Sequence, residues 1–240
     1  MSREAGSRSA GKILAFGAHP DDIEFGIGGL IIKEVQKGSV VKNIVCTLGE
    51  AGTSGTPEGR KQEAENAAKL MGAEIEFLDL GGDCHIVNSP ESSLKIAQAI
   101  RMFKPEVVLA PELQANQHPD HYALAQIVQA ACRMARYGGL SELKDLSVHK
   151  VNSLYFYPSR AEWGQKPDLF IDVSEVWEKW TMAMACHESQ MKTKGYVNLV
   201  GSKAAAWGAS IGVEYAVALW SNDPIRVNGL SDLNLSSRNY

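Results

Sequence analysis

A chain of 240 residues with 45% hydrophobic content can bury a substantial core, and a single domain over 13–240 behind a polar, disordered tail at 1–12 is expected. The formal charge of −4 offers no basic field to nucleic acid or to an anionic membrane surface, and no apolar run is long enough to span a bilayer, which leaves small-molecule chemistry. Cys46, Cys84, Cys132 and Cys186 form no CxxC pair and lie in or beside apolar runs, as reduced core cysteines do, so a cytoplasmic chain without disulfides is expected.

The tail "MSREAGSRSAGK" lacks the apolar region of a signal peptide. After it, "KILAFGA" (12–18) reads as a strand and "GIGGLIIKEVQKG" (26–38) as a helix closed by Gly38. The unit recurs as "VVKNIVCTL" (40–48) with a helix over 59–72, and as "EIEFLDL" (74–80) with a helix over 92–103. A fourth copy pairs "PEVVLAP" (105–111) with a helix over 120–138. This alternation predicts an α/β, Rossmann-like fold: a mainly parallel sheet covered by helices on both faces. Beyond it, "SLYFYP" and "DLFIDV" read as added strands, and "SEVWEKWTMAMACHESQM" as a helix with Ser174 as its N-cap.

Two short segments stand out, "HPDD" at 19–22 and "HPDH" at 118–121. The first follows strand 1 directly and the second follows strand 4 within a few residues. Ligands in such folds bind beyond the carboxyl ends of the strands, and the doubly wound order commonly sets strands 1 and 4 side by side. The two segments are therefore expected to supply halves of one site. A spacing of three puts His19 with Asp22, and His118 with His121, on one face of a helical turn that tolerates Pro at its first position. His19, Asp22 and one histidine of the second motif would give two nitrogens and one oxygen with positions left open, the pattern of a catalytic metal site. Helix capping accounts for one such segment and leaves the histidines at both unexplained.

"GAHPDDIEFGIGG" (17–29) together with "HPDH" resembles the LmbE-like, or PIG-L type, zinc N-deacetylases, which remove acetyl groups from N-acetylglucosaminyl compounds. The likeness extends to "GEAGTSGTPEGRKQEAENAAKLMGA" (49–73), "HESQ" (187–190) and "GVEYAVAL" (212–219), and is nearest the bacillithiol-biosynthesis branch, which acts on N-acetylglucosaminyl malate. The resemblance implies His19, Asp22 and His121 as metal ligands and Asp21 as general base. It makes His118 the aid to oxyanion and leaving amine, Asp120 the residue that orients it, and Arg60 a substrate ligand. It also implies Zn²⁺, with Fe²⁺ or another divalent metal as substitutes, a small amino-sugar substrate, and a homo-oligomer, trimeric or hexameric. Some members carry an oxyanion tyrosine before the second motif; here "LQANQ" (113–117) offers Asn116 or Gln117 instead. The chemistry suits these roles: amide hydrolysis needs an activated water, a polarised carbonyl and a protonated amine, which a metal, Asp21 and His118 divide among them. An Asp120 contact is expected to favour the charged form of His118.

Arg60, taken by itself, reads as a solvated helix residue. Asp83, in the loop after strand 3, is a candidate substrate ligand, and His85 a weaker one. Glu24 reads as a helix-start acid, His187 as a core or groove histidine and His149 as inert, while "GIGG" lacks the GxGxxG spacing and reads as a packing device. Diacetylchitobiose and free N-acetylglucosamine are the alternative substrates. A metal-independent nucleotide-binding protein and a non-haem Fe(II) oxygenase are the competing classes; the first leaves both histidine motifs unexplained, and the second typically sits in antiparallel barrels.

Overall fold

The apolar run that opens the folded chain forms β1 (Lys12–Gly17), and its period-two alternation sets the layers. Leu14 and Phe16 enter one core with Ile96, Ile100, Leu124 and Val128, while Ile13 and Ala15 enter a second with Ile23, Ile31, Trp180 and Met184. Helices therefore seal both faces. Each large apolar side chain taken from water in this way contributes roughly 1.5–3 kcal/mol. The structure is a computed structural model that describes residues 11–115, 118–159, 166–192 and 194–229. The tail expected at 1–12 falls outside them up to residue 10; Lys12 itself belongs to β1, paired with Val40.

The alternation continues through α1 (Asp22–Gln36), β2 (Val40–Val45), α2 (Pro57–Met71), β3 (Glu74–Phe77), α3 (Pro90–Phe103), β4 (Val107–Pro111), α4 (Pro119–Met134) and β5 (Ser153–Tyr157). The chain then forms β6 (Leu169–Asp172), α5 (Trp177–Ala185), α6 (Glu188–Met191), α7 (Tyr196–Ile211) and β7 (Ala216–Ser221). The sheet order is β3-β2-β1-β4-β5-β7-β6, so β1 and β4 are neighbours, as expected, with Leu14 opposite Val108. Strands β1 to β5 pair in parallel, and β7 runs antiparallel to both β5 and β6. No helix among the described residues is long and apolar enough to cross a membrane.

Local chemistry explains where the helices begin. α2, α3 and α4 each start on a proline behind a capping side chain: Gly59 N–H donates to Thr56, Ser92 N–H to Ser89 and Asp120 N–H to the His118 ring. α1 is different. Its cap, Asp21, makes no side-chain cap bond and has φ 119°, a left-handed value that costs on the order of 1–3 kcal/mol in a non-glycine residue. The expected helix from Ser174 is also corrected. Ser174 opens a 3₁₀ turn and its hydroxyl donates to Asp172 Oδ1 at 2.7 Å, so α5 starts at Trp177. The helix then breaks at His187, whose ψ of 60° separates α5 from α6 and accompanies the complete burial of its ring. Gly28 and Gly29 bear out the packing role of "GIGG", since a Cβ on either would come within 2.7 Å of the Trp180 indole.

Candidate active site

The two His-Pro-Asp segments meet at the carboxyl ends of β1 and β4, in different registers. In the first, His19 and Pro20 precede α1 and Asp22 is the first helical residue; in the second, His118 caps α4 and Pro119 is its first residue. The expectation of two equivalent helical turns is thus corrected. Asp22 folds back instead of capping: Ala18 N–H and His19 N–H donate to its Oδ2 at 2.8 and 2.9 Å. That leaves Oδ1 3.0 Å from His121 Nε2.

His19, Asp22 and His121 bring ligand atoms within 4.8 Å of one another. Three features fit this group to a divalent cation. His121 Nε2 approaches Asp22 closely yet, with Nδ1, has no hydrogen-bond partner among the described residues, as when two atoms face a common third centre. His19 lies 3.4 Å from Asp22, 3.1 Å from Asp83 and 3.2 Å from Asp120. Burial opposes a charge on its ring, but Asp22 and the two other carboxylates outweigh burial and push its pKa up to about 12. So much negative charge around one imidazole calls for a positive one. The donor set, two imidazoles and a carboxylate, is also that of catalytic zinc sites.

Asp21 stands beside this group without joining it. Burial and the adjacent Asp22 raise its pKa to about 7, against the pull of His187, Arg60 and His19. Arg60 is buried, correcting its solvated reading. Its guanidinium donates to Gly49 O at 2.7 Å and Pro20 O at 3.0 Å and lies 3.4 Å from Asp21 Oδ2. Gly49, at φ 66°, makes this possible, because a Cβ there would lie 1.9 Å from Arg60 Nη1. The glycine-rich loop thus closes around Arg60, which in turn holds the Pro20-Asp21 turn.

Asp120 reaches His118 through its backbone: its N–H donates to ring Nδ1 at 3.4 Å. Because the His118 ring receives Asp120 N–H, the acid's side chain turns elsewhere: Oδ2 accepts from Cys84 N–H at 2.7 Å and lies 4.0 Å from His118 Nδ1. Asp83 takes the nearer place, 3.4 Å from His118 Nε2. Loss of hydration, followed by repulsion from His19 and His121, lowers the His118 pKa and outweighs Asp120, which favours the charged form as expected, and Asp83, which does the same, so the ring is neutral at pH 7. His19 first, with Cys84 and His118, outweighs desolvation and holds Asp83 well below the usual carboxylate range. His85 Nδ1 lies 2.7 Å from Asp83 O, and His149 contacts Pro105 O at 2.6 Å. Asn116 and Gln117 lie outside the described residues.

Three features escaped sequence reasoning. Glu24 and His187, both buried, form a pair at 3.4 Å beneath Asp21. Cys84 is exposed, not a core cysteine, and has φ 65°. Third, α7 lines the site with Tyr196, Leu199, Val200, Lys203 and Trp207, one helix face at three- and four-residue spacing. That face and the His/Asp group border one cavity of about 510 Å³.

The fold and this centre define the class, an α/β protein with a His/Asp group, at the switch point of its sheet, able to hold a metal. The PIG-L profile, GlcNAc-PI de-N-acetylase, matches residues 14–132. The chain is 31% identical over 192 residues to diacetylchitobiose deacetylase of Thermococcus kodakarensis, covering 75% of this chain and 70% of that protein. It is 26% identical to 4-oxalmesaconate hydratase of Pseudomonas putida, over 74% of this chain and 73% of that one. It is 25% identical to the probable N-acetyl-alpha-D-glucosaminyl L-malate deacetylase 2 of Bacillus cereus, over 74% and 83%. Among solved structures, the conserved protein TT1542 from Thermus thermophilus superposes with a TM-score of 0.81 at 31% identity, covering 90% of this chain and 96% of that one. The chain belongs to the PIG-L family of de-N-acetylases.

Proposed function

We propose that the protein hydrolyses the acetamide of an N-acetylglucosaminyl compound, with His19, Asp22 and His121 holding a divalent cation, zinc foremost. The observation that carries this reading is Asp21: a carboxylate raised to about 7, held by Arg60 beside the His/Asp group and open to a cavity of sugar-accommodating size. Bound there, the cation supplies Lewis acidity toward the acetyl carbonyl and lowers the pKa of an adjacent water. Asp21 accepts that water's proton as the water attacks, and delivers it to the departing amine. His118, neutral at pH 7, donates its Nε2–H to the developing oxyanion, a donor shared with Asp83. The apolar wall of α7 excludes water and receives the aglycone.

For the aglycone, N-acetylglucosaminyl malate remains the favoured candidate. Arg60 is occupied by Gly49, Pro20 and Asp21, so the malate carboxylates are assigned to Lys194 and Lys203, which line the same cavity. Diacetylchitobiose is the second reading, favoured by stacked Phe25 and Tyr196, 4.9 Å apart, as a platform for a second sugar. Comparing kcat/KM for the malate glycoside, its methyl glycoside and diacetylchitobiose separates these. An advantage of about tenfold or more for malate, equivalent to roughly 1.4 kcal/mol, is expected. Preferred turnover of diacetylchitobiose would transfer the assignment to the second reading. Failure to release acetate from all three, with hydration of 4-oxalmesaconate, would overturn the deacetylase reading.

A further inference from the structure

Beside the group assigned above, a second set of donors converges at the outer edge of the site. Asp83 Oδ1 lies 3.5 Å from Cys84 Sγ and 3.4 Å from His118 Nε2, and Cys84 Sγ lies 3.8 Å from His118 Nε2. A tetrahedral zinc ion with bonds of about 2.0 Å to nitrogen and oxygen and about 2.3 Å to sulfur sets its ligands about 3.3–3.7 Å apart. The triangle in this chain has edges close to those. We infer that Asp83, Cys84 and His118 form a second, weaker divalent-cation site, selective for thiophilic ions such as Zn²⁺ and Cd²⁺, whose occupation inhibits the enzyme.

Access favours such an ion. Cys84 is exposed and the His118 side chain is 33% exposed, so an ion reaches this triangle without passing the buried group. The surroundings favour it too. Asp120 Oδ2 accepts from Cys84 N–H at 2.7 Å, and its Oδ1 is buried without a hydrogen-bond partner among the described residues, which leaves uncompensated negative charge beside the triangle. His19 Nε2, 3.1 Å from Asp83 Oδ1, borders the triangle on its inner side. On binding, the Cys84 thiol releases its proton to solvent and the thiolate bonds the ion, so affinity rises with pH. The occupied site removes His118 from the oxyanion and sets a second positive charge beside the first. The binding half of this inference stands on the triangle alone; the inhibitory half rests on the proposed deacetylase reading.

Cobalt(II) titration tests the binding half without any assay of activity. After the first equivalent fills the inner group, a second is expected to produce a thiolate-to-cobalt charge-transfer band in wild type and none in Cys84→Ser or Cys84→Gly, the glycine keeping the φ > 0 backbone at ease. Equilibrium dialysis against zinc is expected to give two ions per chain in wild type and one in either variant. In acetate-release assays, wild type is expected to lose activity as zinc exceeds one equivalent, and the variants to need at least about tenfold more. Saturation of wild type at one ion, or a thiolate band that survives in both variants, would overturn the site. A second ion without inhibition would overturn its inhibitory role alone.

Discussion

Asp21 concentrates the chemistry in one residue, and its environment gives two consequences of opposite kind. Asp21→Asn keeps the side-chain shape and tolerates positive φ, so it is expected to retain the metal while kcat falls roughly 10²–10⁴-fold. The stability effect has the other sign. Because the folded protein holds this proton up to about 7, while an ordinary aspartate loses it near 4, native stability falls as pH rises between those values. Asparagine has no proton to lose. In metal-free protein, the unfolding free energy of the variant relative to wild type is expected to rise from about pH 4 to about pH 8, by an amount on the order of 1–3 kcal/mol, seen as a rising relative Tm. A pH-independent difference would show that Asp21 carries no such strain. Much of this residue's role was legible, since two adjacent aspartates cannot both serve the same ion easily. Its support was not: Arg60 is eleven residues from Gly49 O and forty from Pro20 O, and only the folded loop brings them together.

At the scale of elements, the strand and helix pattern was readable because β1, β2, β4 and β5 are short, mainly apolar runs, β3 alternates Glu with Ile and Phe, and α2 to α4 carry amphipathic faces. Their true starts lay in the pairs Thr56-Pro57, Ser89-Pro90 and His118-Pro119, a capping signal repeated three times. α7 was hidden by its composition, rich in small residues with glycines at 201 and 208, and Gly208 is required where a Cβ would meet Glu214 O at 2.6 Å. The break at His187 was equally hidden, because it depends on burial against Glu24 from a distant helix. The contact of α1 with α5 gives a sharp test. Gly28→Ala drives a methyl into the Trp180 indole at 2.7 Å and is expected to cost roughly 1–3 kcal/mol, lowering Tm by about 2–4 °C per kcal/mol. Gly139→Ala, where nothing lies within 4 Å, is the control and is expected to leave Tm unchanged. Equal shifts would mean that the close helix approach does not depend on glycine.

The whole molecule explains why the function needs both motifs. Strand order reverses direction between β1 and β4, and the loops leaving their carboxyl ends diverge enough to leave a crevice into which each inserts part of the His/Asp group. Sequence spacing suffices to foresee that convergence. It gives no means to see the antiparallel addition of β7 and β6, or the α7 wall that completes the cavity. The central claim is that one cation, held by both motifs together, makes the amide labile. The most direct measurement pairs elemental analysis with acetate release for wild type, His19→Ala, Asp22→Ala and His121→Ala, each purified anaerobically and assayed on the same N-acetylglucosaminyl substrates. About one tightly held divalent ion per chain is predicted in wild type, lost from every variant together with activity. Wild-type metal content in the variants, or acetate release that persists after the metal is gone, would contradict the account.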